Sequence, residues 1–177
     1  MKLIILDRDG VINQDSAQYI KSPEEWKPIK GSPEAIARLC QWGYRVVVAT
    51  NQSGVGRGFF DMDTLNAIND KMTRVVAQVG GRIDSVFYCT HTDEDECHCR
   101  KPKPGMLQEI SARYSTPLAG VSVIGDSLRD LQSALAAGAH PLLVLTGKGT
   151  LTAADPDFPP GTPIFADLAA AVAHLTH

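Results

Sequence analysis

The chain has 177 residues, 44% of them hydrophobic and 21% charged, which is enough for one core and too few for two large ones. A formal charge of −3 and a pI near 5.9 give no general attraction to nucleic acid or to an anionic membrane, so any affinity for an anion must come from a focused site. The first apolar stretch stops at Asp7, too short for a signal-peptide core, and no run approaches the roughly eighteen apolar residues of a membrane span. A cytoplasmic monomer with neither a nucleic-acid nor a membrane partner is therefore expected.

In chain order, 2–6 reads as a buried strand and 32–42 as a helix with Pro33 at its first position. A second strand is predicted over 45–50, a helix over 63–79, a third strand over 85–89 and a helix over 105–114. Strand 121–125, helix 128–137, strand 141–145 and a last helix over 167–175 follow, the last after a proline-rich connection at 156–163. Short, continuously apolar strands alternating with helices predict a single α/β domain over 1–177, a doubly wound parallel sheet of Rossmann type. No segment between strands is long enough for a large cap, so an open site is expected.

Strand ends then supply the chemistry. Leu3-Ile4-Ile5-Leu6 delivers Asp7-Arg8-Asp9-Gly10 to the carboxyl edge of the sheet, and 121–125 delivers Asp126 in the same way. A lone Asp-X-Asp also reads as a solvated turn or a cap, but three acids converging on one edge suggest a divalent cation. Thr50-Asn51-Gln52-Ser53-Gly54 offers hydroxyl, amide and backbone donors to phosphoryl oxygens, or else is an ordinary polar turn. Arg100-Lys101-Pro102-Lys103-Pro104 places cations before a helix, suited to an anionic substrate or to a solvated loop.

Cys89-X-His91 and Cys97-X-Cys99 form a second constellation, a Cys₃His set able to close a tetrahedral structural zinc site, with His98 as a substitute ligand. A disulfide is disfavoured in a chain without a secretion signal. Such a zinc would brace the loop so that Arg100 and Lys101 face the substrate, with Asp93 to Glu96 as a solvated acidic tip. Cys40, Trp26 and Trp42 read as packing residues, and Thr146-Gly147-Lys148-Gly149 as a connection without Walker spacing.

Asp7-Arg8-Asp9-Gly10, Thr50-Asn51-Gln52, Lys101-Pro102 and Gly125-Asp126-Ser127-Leu128-Arg129-Asp130, in this order, resemble the four motifs of the haloacid dehalogenase (HAD) superfamily of phosphatases. The resemblance implies Asp7 as nucleophile forming an aspartyl-phosphate and Asp9 as general acid and base, with Thr50 and Lys101 stabilising the phosphoryl group. It also implies Mg²⁺ held by Asp7, Asp126 and the Asp9 carbonyl, with Asp130 as a supporting partner behind these groups. With the zinc loop, the chain is similar to the branch of phosphatases acting on heptose bisphosphates and on histidinol phosphate. Thr50 to Gly54, Arg57-Gly58 and Lys103 to Met106 look more like the heptose side, whereas the short zinc loop is shared with the histidinol side. That implies Mg²⁺-dependent removal of the 7-phosphate of D-glycero-D-manno-heptose 1,7-bisphosphate in ADP-heptose and lipopolysaccharide core synthesis, the alternative being histidinol phosphate. The implied sugar-phosphate contacts are Asp7, Asp9, Thr50, Asn51, Gln52, Ser53, Arg100 and Lys101. Arg57, Arg100 and Lys103 exceed the needs of one phosphoryl group, and the flap Asp15-Ser16-Ala17-Gln18-Tyr19 lacks the glycine expected in the heptose branch. A zinc-stabilised nucleic-acid or protein-binding module is the alternative of another class, and the negative charge argues against it.

Overall fold

Strand β1 (Lys2–Leu6) sends Leu3 and Ile5 to one face of the sheet and Ile4 and Leu6 to the other, and both sets are buried. A computed structural model, which describes residues 1–177, places this strand at the centre of a six-stranded parallel sheet. The other elements are α1 (Ser32–Gln41), β2 (Tyr44–Asn51), α2 (Ser53–Gly56), α3 (Met62–Gln78), β3 (Ser85–Cys89), α4 (Gly105–Tyr114), β4 (Ser122–Gly125), α5 (Leu128–Ala136), β5 (His140–Val144), α6 (Gly149–Ala153), β6 (Ile164–Phe165) and α7 (Leu168–Leu175).

The strand order is β3-β2-β1-β4-β5-β6, with Ile5 in register with Val47 on one side and Val123 on the other. Chain direction across the sheet therefore reverses between β1 and β4, and a crevice opens at the carboxyl ends of these two strands. Ile4, Leu6, Val46 and Val48 pack with apolar residues of α1, α3 and α7, whereas Leu3, Ile5, Val47 and Ala49 pack with those of α4 and α5. Each face of the sheet is thus covered by helices, which is why the strands are apolar throughout.

Strands β1 and β3 and helix α4 begin and end where the sequence places them, and the other expected elements shift by about a residue at their ends. Helix α3 begins earlier because Asp61, not Asp63, is its cap, accepting from the Thr64 N–H at 2.8 Å. Two short helices, α2 and α6, and the two-residue edge strand β6 escape the sequence pattern because none is long enough to show a period. Trp26 is buried as expected, but Trp42 is 43% exposed and lies beside Lys2, whose Nζ donates to the Trp42 carbonyl at 2.9 Å. Cys40 is only half-buried, and its thiol donates to the Arg82 carbonyl at 3.3 Å.

Candidate active site

The crevice is a cleft of about 650 Å³ into which β1, β2 and β4 all discharge. Every sequence-predicted catalytic, substrate-binding and magnesium residue lines it: Asp7, Asp9, Thr50, Asn51, Gln52, Ser53, Arg100, Lys101 and Asp126.

Lys101 is the hub of its floor. Its side chain is 4% exposed, and its Nζ donates to Asp130 Oδ1 at 2.8 Å, to Asp7 Oδ1 at 3.3 Å and to the Ala49 carbonyl at 2.6 Å. Asn51 fixes the Lys101 backbone from both ends, donating through Nδ2 to its carbonyl at 3.2 Å and accepting its N–H on Oδ1 at 3.1 Å. Asn51 therefore acts first on the lysine loop. Asp130 belongs to the capping box that opens α5 and accepts the N–H groups of Asp126 and Ser127 on Oδ2, each at 3.1 Å. Its carboxylate is thus fully engaged, which ties the helix end to Lys101.

Asp126 is held from a side that the sequence does not advertise. The Lys148 N–H donates to Asp126 Oδ2 at 2.9 Å, and Thr152 Oγ1 donates to the Asp126 carbonyl at 2.7 Å. Gly10 (φ +88°) and Gly147 (φ +57°) both lie where a Cβ would strike the Asp126 carboxylate, so glycine is required for these backbones to close around it. Within the stretch from Thr146 to Gly149, expected as a plain connection, Lys148 lines the cleft and Gly147 lies against the Asp126 carboxylate.

Asp9 is gripped from behind by Arg8, which is fully buried: Nε donates to Oδ1 at 2.9 Å and Nη2 to Oδ2 at 3.3 Å, while Nη1 donates to Asn69 Oδ1 at 3.0 Å. Asn13 Nδ2 and Gln52 Nε2 add bonds to Asp9 at 3.0 and 3.2 Å, and Gln52 Nε2 also donates to Thr50 Oγ1 at 2.9 Å. Burial would push Asp9 up, but the Arg8 charge and these donors outweigh it, and its carboxyl lies below the ordinary range. Burial, with Asp130 second, pushes Asp7 well up despite Lys101, and raises Asp126 to about 7. Among the protein groups alone the proton is thus favoured on Asp7 over Asp9, because the arginine sits on Asp9 and the acids crowd Asp7, and a cation bound at Asp7 acts in the opposite sense.

The zinc-type set converges as its spacing predicts. Cys89 ends β3, and the ligand atoms of Cys89, His91, Cys97 and Cys99 all lie within 4.8 Å of one another. Tetrahedral zinc with bonds of about 2.3 Å to sulfur and 2.0 Å to nitrogen requires ligand atoms about 3.5–3.8 Å apart. Cys89 Sγ is 3.6 Å from Cys97 Sγ and 3.5 Å from His91 Nδ1, and Cys99 Sγ is 3.4 Å from His91 Nδ1, with the Cys89–Cys99 pair closer at 2.8 Å. The donor set fits a structural zinc, and the cysteines are not disulfide-bonded. His98 is not a fifth candidate: its ring is 81% exposed and lies 3.7 Å from Glu109. Changing Cys99 to serine is expected to remove the zinc equivalent, read by elemental analysis, and to lower kcat/KM by roughly 10- to 100-fold as the loop carrying Arg100 loosens. Retention of one zinc with unchanged activity would overturn this.

The loop tip is not simply solvated. Asp93 Oδ1 accepts from Arg100 Nε at 2.8 Å, and Asp95 caps Thr92, accepting its N–H at 2.7 Å. Arg57 joins Arg100 in lining the cleft, whereas Lys103 turns away and donates to the Cys97 carbonyl. Flap residues Asp15, Ser16, Ala17 and Tyr19 also line the cleft, as do Arg129 and Lys148, so the wall is wider than the motifs alone indicate.

A HAD-hydrolase-like family model matches residues 98–171, and a polynucleotide kinase 3 phosphatase model matches residues 2–129. The chain is 57% identical over 175 residues to the D-glycero-beta-D-manno-heptose-1,7-bisphosphate 7-phosphatase of Bordetella bronchiseptica, covering 99% of this chain and 98% of that one. It is 51% identical to the Pseudomonas aeruginosa protein of the same name, over 98% of this chain and 97% of the other. The crystal structure of the Bordetella bronchiseptica D,D-heptose 1,7-bisphosphate phosphatase complexed with magnesium and phosphate superimposes with a TM-score of 0.97 over 99% of this chain and 98% of that one.

Proposed function

Since the chain belongs to the D-glycero-beta-D-manno-heptose-1,7-bisphosphate 7-phosphatase family of HAD-like hydrolases, we infer that it releases the 7-phosphate of the β-anomer of that bisphosphate, a step towards ADP-heptose. One observation carries the reading: Lys101 Nζ stands 3.3 Å from the Asp7 carboxylate at the floor of an acidic cleft, in a chain 57% identical to such an enzyme.

Phosphate monoesters resist attack because their own charge repels the nucleophile, so the site must neutralise charge and align attack in line. Asp7 attacks phosphorus as the bond to the sugar oxygen breaks, and Asp9 gives its proton to the departing alkoxide. Asp9 then takes a proton from water, which attacks the phosphorus of the aspartyl-phosphate and returns Asp7 as a carboxylate with release of phosphate. Despite burial, Arg8 leaves Asp9 ionised before substrate arrives, and the phosphoryl dianion placed beside it raises its proton affinity, so that Asp9 takes up from solvent the proton it then gives to the alkoxide. Lys101 and Thr50 meet the charge that develops on the phosphoryl oxygens.

The donor chemistry fits Mg²⁺ at Asp7 and Asp126 with the Asp9 carbonyl. Both carboxylates keep an oxygen free of protein donors, whereas Asp130 spends its own on Lys101 and the start of α5. Mg²⁺ supplies positive charge to the phosphoryl oxygens when bound and favours the ionised form of the two acids that burial pushes up.

All of these groups come from one chain, and we propose a cytoplasmic monomer acting on a small sugar phosphate. A polynucleotide suits it poorly, given the net charge of −3. The test is kcat/KM with Mg²⁺ for each anomer of the bisphosphate against L-histidinol phosphate. A preference of about 100-fold or more for the β-bisphosphate is expected. A preference for histidinol phosphate would overturn the substrate and leave the catalytic assignments to stand.

A further inference from the structure

Seven carboxylates and five cations line the cleft, so the site is not positive before a bisphosphate enters it. Three of the cations, Arg57, Arg100 and Arg129, stand apart from the floor that Lys101 occupies. Between two of them sits one carboxylate from the zinc loop: Asp93 Oδ1 lies 2.8 Å from Arg100 Nε, and Asp93 Oδ2 lies 3.8 Å from Arg129 Nη2. One anionic group bridging two guanidinium groups is the arrangement that a phosphate would make with the same pair.

The two sides of this bridge are unequally fixed. Arg100 is 9% exposed and has a second hold, Nη1 on the His91 carbonyl at 3.3 Å, so it stays in place without Asp93. Asp93 is 60% exposed, and its helical turn is closed by Thr92 and Asp95 rather than by its own side chain. Its carboxylate can therefore swing into water without unmaking the loop. An exposed ion pair is weak and screened, whereas a phosphate dianion offers more charge and more acceptor oxygens to the same donors.

We propose that Asp93 is a resident counter-anion that occupies the subsite of the non-transferred phosphate, and that Arg129 together with Arg100 reads that phosphate when substrate displaces the carboxylate. Arg129 thereby becomes a specificity-determining residue, and Asp93 sets a threshold that a ligand must exceed with a second anionic group. A substrate carrying only the transferring phosphate leaves the Asp93 bridge closed. The inference rests on the bisphosphatase reading above.

The measurement is the ratio of kcat/KM for heptose 1,7-bisphosphate to that for p-nitrophenyl phosphate, with zinc content determined alongside. In Asp93→Asn the competing charge is gone and the ratio is expected to rise by about threefold or more. In Arg129→Gln the ratio is expected to fall roughly tenfold, through the KM for the bisphosphate. A fall in Asp93→Asn would make Asp93 a positioning residue for Arg100 and overturn the displacement. An unmoved ratio in Arg129→Gln, or an equal loss on both substrates, would overturn the subsite. A wild-type ratio near one would sink the bisphosphatase reading itself and this inference with it.

Discussion

Asp7→Asn is expected to lower kcat by roughly 10⁴-fold or more while leaving the fold intact. The amide cannot form the bond to phosphorus, and no neighbouring group is placed to replace it: Asp130 is engaged by Lys101 and by the first turn of α5, and Asp9 by Arg8, Asn13 and Gln52. Stability should hold or rise. Burial and then Asp130 push the Asp7 carboxyl above its ordinary value, so the native protein binds more protons than the unfolded chain there. That contribution is fully present below the ordinary carboxylate range and is lost as pH rises through the raised value of the folded protein, above which the buried carboxylate carries the cost of its charge. Asparagine removes the cost, and Lys101 keeps Asp130 and the Ala49 carbonyl. Thermal unfolding together with single-turnover phosphate release checks both halves of the prediction, and a variant keeping a tenth of the wild-type kcat would remove Asp7 from the nucleophile's place.

The parts of this site legible in the sequence are those in which a local pattern carries the chemistry. Asp7 and Asp126 stand out because an apolar strand ends on a charge, and Cys89, His91, Cys97 and Cys99 because zinc ligands repeat at short spacing. What escapes is made by residues far apart in the chain that share no period. Lys148 meets Asp126 through a backbone N–H, which has no side-chain signature, and Gly147 looks like any turn glycine until the carboxylate it faces is known. Asp93 reads as one of four tip acids, yet it pairs with Arg100 and Arg129 while Asp95 caps Thr92, leaving Glu94 and Glu96 as the solvated pair. Arg8, central in a motif read for its two acids, turns out to be the buried partner of one of them. The low proton affinity of Asp9 depends on that partner, which a reading of the two acids alone leaves out.

Lys101→Met should be the most destabilising single change in the cleft, by about 3–5 kcal/mol, because it leaves buried carboxylates without their cation. Lys101 is 4% exposed and Asp130 3%, so solvent cannot take the place of the lost charge. For a chain of this size the melting temperature would fall by about 10 °C. The pair also fixes an acid sensitivity. Burial would push Asp130 up, but Lys101 brings its carboxyl below the ordinary value, so its contribution is present at neutral pH and is lost as pH falls through that lowered range. Burial opposes the charge on Lys101, yet Asp130 and then Asp7 hold its pKa above the ordinary lysine value, so that charge persists throughout the neutral range. In Lys101→Met the acid limb of the stability profile should flatten. Adding Asp130→Asn to Lys101→Met should recover much of the lost stability, since it removes the stranded charge, without restoring phosphate release, which needs a cation opposite the transferring group. If the double variant were no more stable than Lys101→Met alone, the ion pair would not be what holds the loop against the sheet, and the clamp of Asn51 on the Lys101 backbone would have to carry that role.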